Sequence, residues 1–252
     1  MRRLLVALSI LTVLPLRVDH SPEKLVDSTI CFPLAGALIG SALGALQLVQ
    51  SRLLPAQVAA AVLLAAAWLL TGGMHLDGLA DTADGLACSP QAKALEAMHD
   101  PRVGAAGAGA ISLILLLKWS CLVGLPPHCR VMAVFLMPVV GRQAVVMAMT
   151  YHPSARPGEG LGSAFARKIA LLRLLPTLGI TVALLLLASW LQGGPLLPWA
   201  LAVAVGLGSS LLLATHLSRR LGGMTGDTYG ALCEVAEGAF LLGALLWPAR
   251  GL

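Results

Sequence analysis

Seven long apolar segments most constrain how this chain can fold. They cover residues 31–49, 56–73, 104–125, 131–150, 169–191, 196–216 and 230–247. They have 18 to 23 residues each, which as an α-helix is enough to cross a hydrocarbon core about 30 Å thick. The pattern predicts an all-α fold: a polytopic integral membrane helical bundle of about seven transmembrane helices. We interpret residues 1–252 as a single membrane-embedded domain.

The composition agrees with a membrane protein and excludes other classes. Hydrophobic residues make up 58% of the chain and charged residues only 12%, whereas about 25% of a soluble domain is charged. The net charge is +5, but the basic residues form no dense run with interleaved aromatic residues, so we expect no nucleic acid partner. The five cysteines are scattered and lack the spacing of a metal site. The lipid bilayer is the partner that this composition requires.

The N-terminal stretch MRRLLVALSILTVLPLRV resembles a signal peptide, but no cleavage motif follows it and its apolar run is short for a span. We predict that it forms an interfacial or re-entrant helix. Most basic residues then lie on one side of the membrane, and Arg52, Arg130 and Arg250 lie on the other. The positive-inside rule makes the first side cytoplasmic. All acidic residues fall on that side or in the first turns of a span that leaves it, so we predict a protein of the cell inner membrane with a cytoplasmic active face.

The motif TGGMHLDGLADTADGL begins in the last three residues of the second apolar segment and carries three aspartates. Asp77, Asp81 and Asp84 are separated by four and three residues, a spacing that places their side chains on one face of a helix. Three like charges near a membrane repel one another unless a cation neutralises them. Carboxylate oxygens suit a hard cation, so the motif predicts a Mg²⁺ site at these residues. A solvated loop face is the alternative, and the neighbouring glycines argue against it.

Two further motifs repeat this acidic character. In GGMTGDTYGALCEVAE, Asp227 and Glu234 are seven residues apart. In EAMHDPRVG, Asp100 stands two residues before Arg102. Carboxylates that hold a metal, next to arginines that bind phosphate through two hydrogen bonds, are typical of metal-assisted phosphoryl transfer. The same residues are compatible with an ion pathway.

Ionisable residues within predicted spans need a polar interior or a partner. Lys118 is expected to be structural, whereas Arg142 is expected to contact either substrate or a carboxylate. For Glu234, the alternative to a site role is an ion pair with Arg142 or Arg219. Arg156 lies in a loop rich in glycine and proline, of the kind that closes over a ligand.

The motifs TGGMHLDGLADTADGL, MHDPRVGAAGA, ARPGEGLGSAF and GGMTGDTYGALCEVAE occur in this order. In these blocks, and in LTVLP and STICFPLAGALIG before them, the chain resembles the cobalamin synthase family over almost its whole length. The resemblance implies a polytopic membrane enzyme that uses Mg²⁺. It also implies that the substrates are adenosylcobinamide-GDP and α-ribazole or its phosphate. These would be joined to give adenosylcobalamin or its phosphate, with release of GMP.

The residue patterns and the resemblance lead to one hypothesis for the site. Asp77, Asp81, Asp84 and Asp100 are assigned to catalysis, and the first three also to Mg²⁺. The residues assigned to substrate binding are His75, Arg102, Arg142, Arg156, Thr225, Asp227 and Glu234. His75 lacks the spacing of a zinc ligand, so hydrogen bonding is its expected role.

Two other functions share part of this pattern. An enzyme like the CDP-alcohol phosphotransferases would share the metal site but would act on a CDP-linked lipid. A cation-coupled transporter would normally carry its acids in the middle of spans or show internal repeats, whereas the acids here cluster at one side. The sequence leaves open whether copies of the chain form a homo-oligomer.

Overall fold

The computed structural model describes residues 1–155 and 171–246. Within these residues the chain forms eleven α-helices, with a short 3-10 turn at Thr29–Cys31. The helices are α1 (Arg2–Leu11), α2 (Pro22–Ser28), α3 (Phe32–Gln50), α4 (Ala56–Thr71), α5 (Met74–Leu86), α6 (Gln91–Ala97), α7 (Ala105–Gly124), α8 (Pro127–Tyr151), α9 (Leu171–Gln192), α10 (Leu196–Leu221) and α11 (Gly226–Leu246). This architecture confirms the predicted all-α bundle.

The number of spans also agrees with the prediction. Six helical segments are each long and apolar enough to cross a membrane: Pro22–Gln50, Ala105–Gly124, Pro127–Tyr151, Leu172–Gln192, Leu196–Leu221 and Gly226–Leu246. α4 and α5 are long and apolar enough to cross only when they are taken together as one bent span. Counting this pair gives seven spans in the described part of the chain. α1 has only 10 residues and is too short to cross a membrane, in agreement with the prediction that the N-terminal stretch does not cross.

α8 and α11 form the centre of the bundle. The most apolar part of α8 is 83% buried and that of α11 is 72% buried, whereas the corresponding parts of α7, α9 and α10 are 28% to 33% buried. α3 packs closely against α8, because a Cβ at Gly40 would lie 2.1 Å from the carbonyl oxygen of Phe135. Close approach through small residues is typical of membrane bundles, in which packing and hydrogen bonds hold the helices together. The two central helices therefore provide a rigid frame for the residues at their ends.

One end of the bundle gathers chain segments that are far apart in sequence. Between α10 and α11, the N–H of Met224 donates to the carbonyl oxygen of Pro153 (2.7 Å), and the N–H of Ala155 donates to that of Met224 (2.9 Å). At the end of α10, the Arg220 guanidinium donates to the carbonyl oxygen of Cys88, which follows α5 (2.7 Å). These contacts bring the ends of α5, α8 and α10 beside the start of α11.

Candidate active site

A sharp bend places the helix that carries the first acidic motif. Gly72 and Gly73 have φ angles of 64° and 74°, in the left-handed region that residues with a side chain rarely adopt. The chain turns by 90° at these glycines, from α4 into α5. α5 then packs against α7 and α11. All three predicted aspartates lie on this single helix, so the motif is helical, as predicted, and not a solvated loop.

α5 and the start of α11 touch at their backbones. A Cβ at Gly78 would lie 2.6 Å from the carbonyl oxygen of Asp227. A Cβ at Gly230 would lie 3.1 Å from the carbonyl oxygen of His75. A side chain at Gly78 would therefore push the two helices apart, and glycine there is needed for their close approach.

This approach brings four carboxylates together. α11 begins at Gly226, earlier than the apolar segment predicted from the sequence, so Asp227 lies in its first turn. Asp81 is within electrostatic range of Asp77, Asp84 and Asp227. We call these four aspartates the carboxylate cluster. Neighbouring like charges disfavour ionisation, and a bound cation would relieve that repulsion.

The carboxylate cluster matches part of a divalent cation site. In residues 1–155 and 171–246, no three His, Cys, Asp or Glu side chains are grouped closely enough to hold a metal ion. Mg²⁺ is usually bound by one or two carboxylates, several waters and the substrate phosphates. The oxygen donors of Asp77 and Asp81 suit that arrangement, which a phosphate-bearing substrate would complete. Binding of Mg²⁺ by Asp77, Asp81 and Asp84 stays a prediction.

Asp84 also joins α5 to α7. Its Oδ2 accepts a hydrogen bond from the N–H of Gly104 (2.7 Å), and its Oδ1 accepts one from the N–H of Gly107 (2.8 Å). A Cβ at Gly104 or Gly107 would lie within 2.5 Å of a carboxylate oxygen. The N–H groups at a helix start have no partner within the helix, and a negative charge there is favourable. Asp84 therefore provides hydrogen-bond acceptors for N–H groups at the start of α7 and holds this end of α7 against α5.

Asp100 and Arg102 form an exposed pair in the turn before α7. The Arg102 guanidinium donates to both oxygens of Asp100, at 2.9 and 2.6 Å. This partner lowers the pKa of Asp100 to about 2, so the carboxylate is ionised at neutral pH. The side chain of Arg102 is 86% exposed and is accessible to a phosphate group. Because Gly104 is bonded to Asp84, the turn lies beside the carboxylate cluster.

A buried ion network joins α7, α8 and α11. Lys118 Nζ lies 2.7 Å from Glu234 and 2.6 Å from Glu237, and Arg142 lies 2.6 Å from Glu237. Buried charges are tolerated when they are paired in this way, so Lys118 is structural, as predicted, and Arg142 contacts a carboxylate. Glu234 pairs with Lys118 and not with the suggested Arg142 or Arg219. A substrate contact of Arg142 or Glu234 stays a prediction.

Two spaces of different size meet at Asp77. The smaller is a cavity of about 260 Å³ between α1, α3, α5, α8 and α11, and its lining includes Asp77, Asp227 and Tyr229. The larger is a groove of about 1260 Å³ between α4, α5 and α7, and its lining includes Asp77, Trp68 and Trp119. We call them the small cavity and the long groove. One carboxylate of the cluster is thus accessible from both.

Two of the residues assigned to substrate binding are buried in different surroundings. Thr225 and His75 are both 5% exposed. The hydroxyl of Thr225 accepts the N–H of Thr228 (3.2 Å), and the hydroxyl of Thr228 accepts the N–H of Thr225 (2.8 Å), a reciprocal cap that fixes the start of α11. His75 lines the small cavity. Arg156 lies outside the described residues.

Sequence reasoning missed Tyr229. It is 5% exposed, lines the small cavity, and its hydroxyl has no hydrogen-bond partner among the described residues. Buried hydroxyl groups nearly always have a partner, so this exception indicates a place for a ligand or a water. The sequence feature that could have pointed to Tyr229 as a site residue is its position two residues after Asp227. An aromatic residue in an apolar helix is usually part of the core, and the sequence does not separate the two cases.

The fold and the site define a multi-pass helical membrane protein whose acidic motifs meet at one end of the bundle. The chain belongs to the cobalamin-5-phosphate synthase family, whose family model matches residues 3–245. It is 40% identical to an adenosylcobinamide-GDP ribazoletransferase of Desulfitobacterium hafniense, over 98% of this chain and 99% of the relative. Proteins of the same name from Alkaliphilus metalliredigens and Pseudomonas fluorescens are 37% and 39% identical, over 100% and 96% of this chain and 98% of each relative. No solved structure matches the chain.

Proposed function

We propose that the protein is an adenosylcobinamide-GDP ribazoletransferase, which joins adenosylcobinamide-GDP to α-ribazole or its phosphate and releases GMP. The observation that carries this proposal is the position of Asp77, which lines both the small cavity and the long groove. A reaction between two substrates needs two binding spaces that meet at the reacting groups. Membership of the family and the names of relatives that match almost the whole chain support the same activity.

The chemistry is a phosphoryl-group transfer. A ribose hydroxyl oxygen of α-ribazole attacks the phosphorus atom next to cobinamide, and a new P–O bond forms. The bond from that phosphorus to the bridging oxygen breaks, and GMP leaves with the electron pair. Asp77 borders both spaces, so it is placed to orient the hydroxyl group and to accept its proton. Asp227 also lines the small cavity and is the second candidate for this role.

We propose Mg²⁺ as the cofactor, held by Asp77 and Asp81 together with the substrate diphosphate, while Asp84 on the same helix accepts the N–H groups of Gly104 and Gly107. When bound, the ion supplies positive charge that stabilises the charge of the departing phosphate. Asp81 has three other aspartates around it, and such a charge would offset their repulsion. The exposed guanidinium of Arg102 is suited to bind a phosphate through two hydrogen bonds.

We further propose that the carboxylate cluster faces the cytoplasm and that the protein lies in the cell inner membrane. The support is the excess of basic residues at this end of the chain's spans, including Arg219 and Arg220 in the last turn of α10. A soluble GDP-linked substrate would then reach the cluster from the cytoplasm.

GMP release from adenosylcobinamide-GDP by the purified protein in lipid nanodiscs tests this proposal. We expect release that requires α-ribazole and Mg²⁺, and that falls at least about a hundredfold in Asp77→Asn, which is roughly 2.7 kcal/mol in the barrier. Asp19→Asn is the matched control, because Asp19 pairs with Lys24 and lines neither the small cavity nor the long groove. Absence of GMP release with both forms of α-ribazole would overturn the proposal. Turnover of a CDP-linked lipid instead would support the phospholipid-type alternative.

A further inference from the structure

The small cavity has the size of a site for one small ring system. Its volume of about 260 Å³ is just below the range of about 300 to 1,000 Å³ that is typical of pockets for drug-sized ligands. Most of its lining is apolar and comes from Ile10, Leu11, Phe32, Met74, Val145 and Met149. Phenylalanine and methionine side chains pack well against flat aromatic rings. This lining favours an uncharged aromatic ligand.

The polar side chains of the lining are those of His75, Asp77, Asp227 and Tyr229. Tyr229 is 5% exposed, and its hydroxyl has no hydrogen-bond partner in the described part of the chain. Leaving a buried hydroxyl unpaired is unfavourable, so a ligand that hydrogen-bonds to it gains affinity. Asp77 and Asp227 add carboxylates that belong to the carboxylate cluster. A ligand in the cavity would therefore have an aromatic part, an acceptor atom and a hydroxyl-bearing part.

The two substrates of the proposed reaction differ in these respects. Adenosylcobinamide-GDP carries a corrin macrocycle and two nucleoside groups, which are too large for the small cavity but are compatible with the long groove of about 1260 Å³. α-Ribazole has a fused-ring aromatic base with one unsubstituted ring nitrogen that accepts a hydrogen bond. Its ribose carries the hydroxyl group that must reach the carboxylates. Size therefore assigns the small cavity to α-ribazole, and the Tyr229 hydroxyl and the two carboxylates of its lining suit the base nitrogen and the ribose hydroxyl groups.

We propose that the small cavity binds the aromatic base of α-ribazole, with the Tyr229 hydroxyl donating a hydrogen bond to the free ring nitrogen and the ribose directed towards Asp77 and Asp227. The inference rests on the proposed function and assigns one substrate to one space. Tyr229 then determines which bases are accepted, because only a base with an acceptor nitrogen satisfies its hydroxyl.

Two probes of equal shape test the hydrogen bond without any turnover. N-methylbenzimidazole has the acceptor nitrogen of the base, and N-methylindole lacks it. By calorimetry in nanodiscs, we expect the parent protein to bind N-methylbenzimidazole about three- to tenfold more tightly than N-methylindole. Tyr229→Phe should abolish this preference and should still bind N-methylindole. Tyr151→Phe is the matched control, since Tyr151 is the other tyrosine, is 54% exposed and is not part of the cavity lining, and it should keep the preference.

Filling the cavity gives an independent test. Met149 is 5% exposed and lines the cavity, so Met149→Trp should exclude both probes. In turnover assays, Tyr229→Phe should raise the KM for α-ribazole about three- to tenfold and leave the KM for adenosylcobinamide-GDP unchanged. A general loss of structure would change both KM values and the thermal unfolding midpoint, so this split distinguishes substrate binding from folding.

The possible outcomes separate the cavity assignment from the proposed function. Equal binding of the two probes by the parent protein, or an unchanged preference in Tyr229→Phe, would overturn the assignment even if GMP is released. Competition of N-methylbenzimidazole with adenosylcobinamide-GDP and not with α-ribazole would also overturn it. If the probes bind as expected but no GMP is released with either form of α-ribazole, the aromatic-base site would stand and the proposed reaction would fail.

Discussion

Gly107 and Gly109 belong to the same glycine-rich stretch but have different surroundings. A Cβ at Gly107 would lie 2.4 Å from Oδ2 of Asp84, whereas a Cβ at Gly109 would meet nothing within 4 Å. We expect Gly107→Ala to displace Asp84 and to lower both stability and turnover, because a hydrogen bond to a charged group contributes about 1.5 to 3 kcal/mol. Gly109→Ala should leave turnover unchanged, and its stability should stay equal or rise, since alanine favours a helix by about 1 kcal/mol. Thermal unfolding and GMP release measure both effects, and equal behaviour of the two variants would contradict this role of Asp84.

Asp81 has three carboxylate neighbours, Asp77, Asp84 and Asp227. Asp81→Asn removes one charge with little change in shape, so we expect the variant to insert and to extract normally while turnover falls about a hundredfold or more. We expect EDTA to inactivate the parent protein and Mg²⁺ to restore its activity. Retention of most activity in Asp81→Asn would remove this residue from the site. Full activity of the parent protein in EDTA would show that the reaction does not require a metal ion.

At the residue level, the sequence could predict which side chains carry charge but not which groups they contact. The spacing of Asp77, Asp81 and Asp84 predicted a shared helix, and they lie on α5. It could not predict that Asp84 accepts two N–H groups from α7, because that contact depends on how two helices pack. The sequence could not predict the unpaired hydroxyl of Tyr229 either, because it depends on which helices surround that side chain.

Two of the three acids of α11, Asp227 and Glu234, lie in different environments. Asp227 lies in the first turn of the helix and lines the small cavity, whereas Glu234 is 8% exposed and pairs with Lys118 at 2.7 Å. We expect Asp227→Asn to lower turnover about a hundredfold with a normal thermal midpoint. Glu234→Gln should instead lower stability by about 1 to 3 kcal/mol, because it removes one partner of a buried charge, although Glu237 still pairs with Lys118. Thermal unfolding and GMP release measure both effects. Loss of stability in Asp227→Asn and loss of turnover in Glu234→Gln would instead make Asp227 structural and place Glu234 in the active site.

At the level of helices, hydropathy predicted the position of α4 but not the bend between α4 and α5. The apolar segment 56–73 located α4, and its end coincides with Gly72 and Gly73. The 90° angle was not predictable, because two adjacent glycines permit several backbone conformations. The angle is set by packing of α5 on α7 and α11, where Gly78 allows contact with the backbone of Asp227. This packing is what unites the two acidic motifs.

For the whole molecule, the count of spans and the pairing of Lys118 inside the bundle followed from the cost of leaving polar groups in lipid. The arrangement of the spans did not, because helices in a membrane associate through shape and small residues and leave no periodic signal comparable to hydropathy. The central positions of α8 and α11 are therefore a result of the structure. They explain why the ion network of Lys118, Arg142, Glu234 and Glu237 lies where three helices meet.

Sidedness is the remaining property of the whole molecule, and exposed positions at opposite ends of the spans test it. Lys93 is exposed in α6, which contacts α5, and Arg52 is exposed in the turn between α3 and α4. In a background without the five native cysteines, we expect Lys93→Cys to react with a membrane-impermeant maleimide only in inverted vesicles. Arg52→Cys should react only in right-side-out cells, because the positive-inside rule places the more basic side in the cytoplasm. The reverse labelling pattern would place the cluster outside, and a soluble GDP-linked substrate could then not reach it from the cytoplasm.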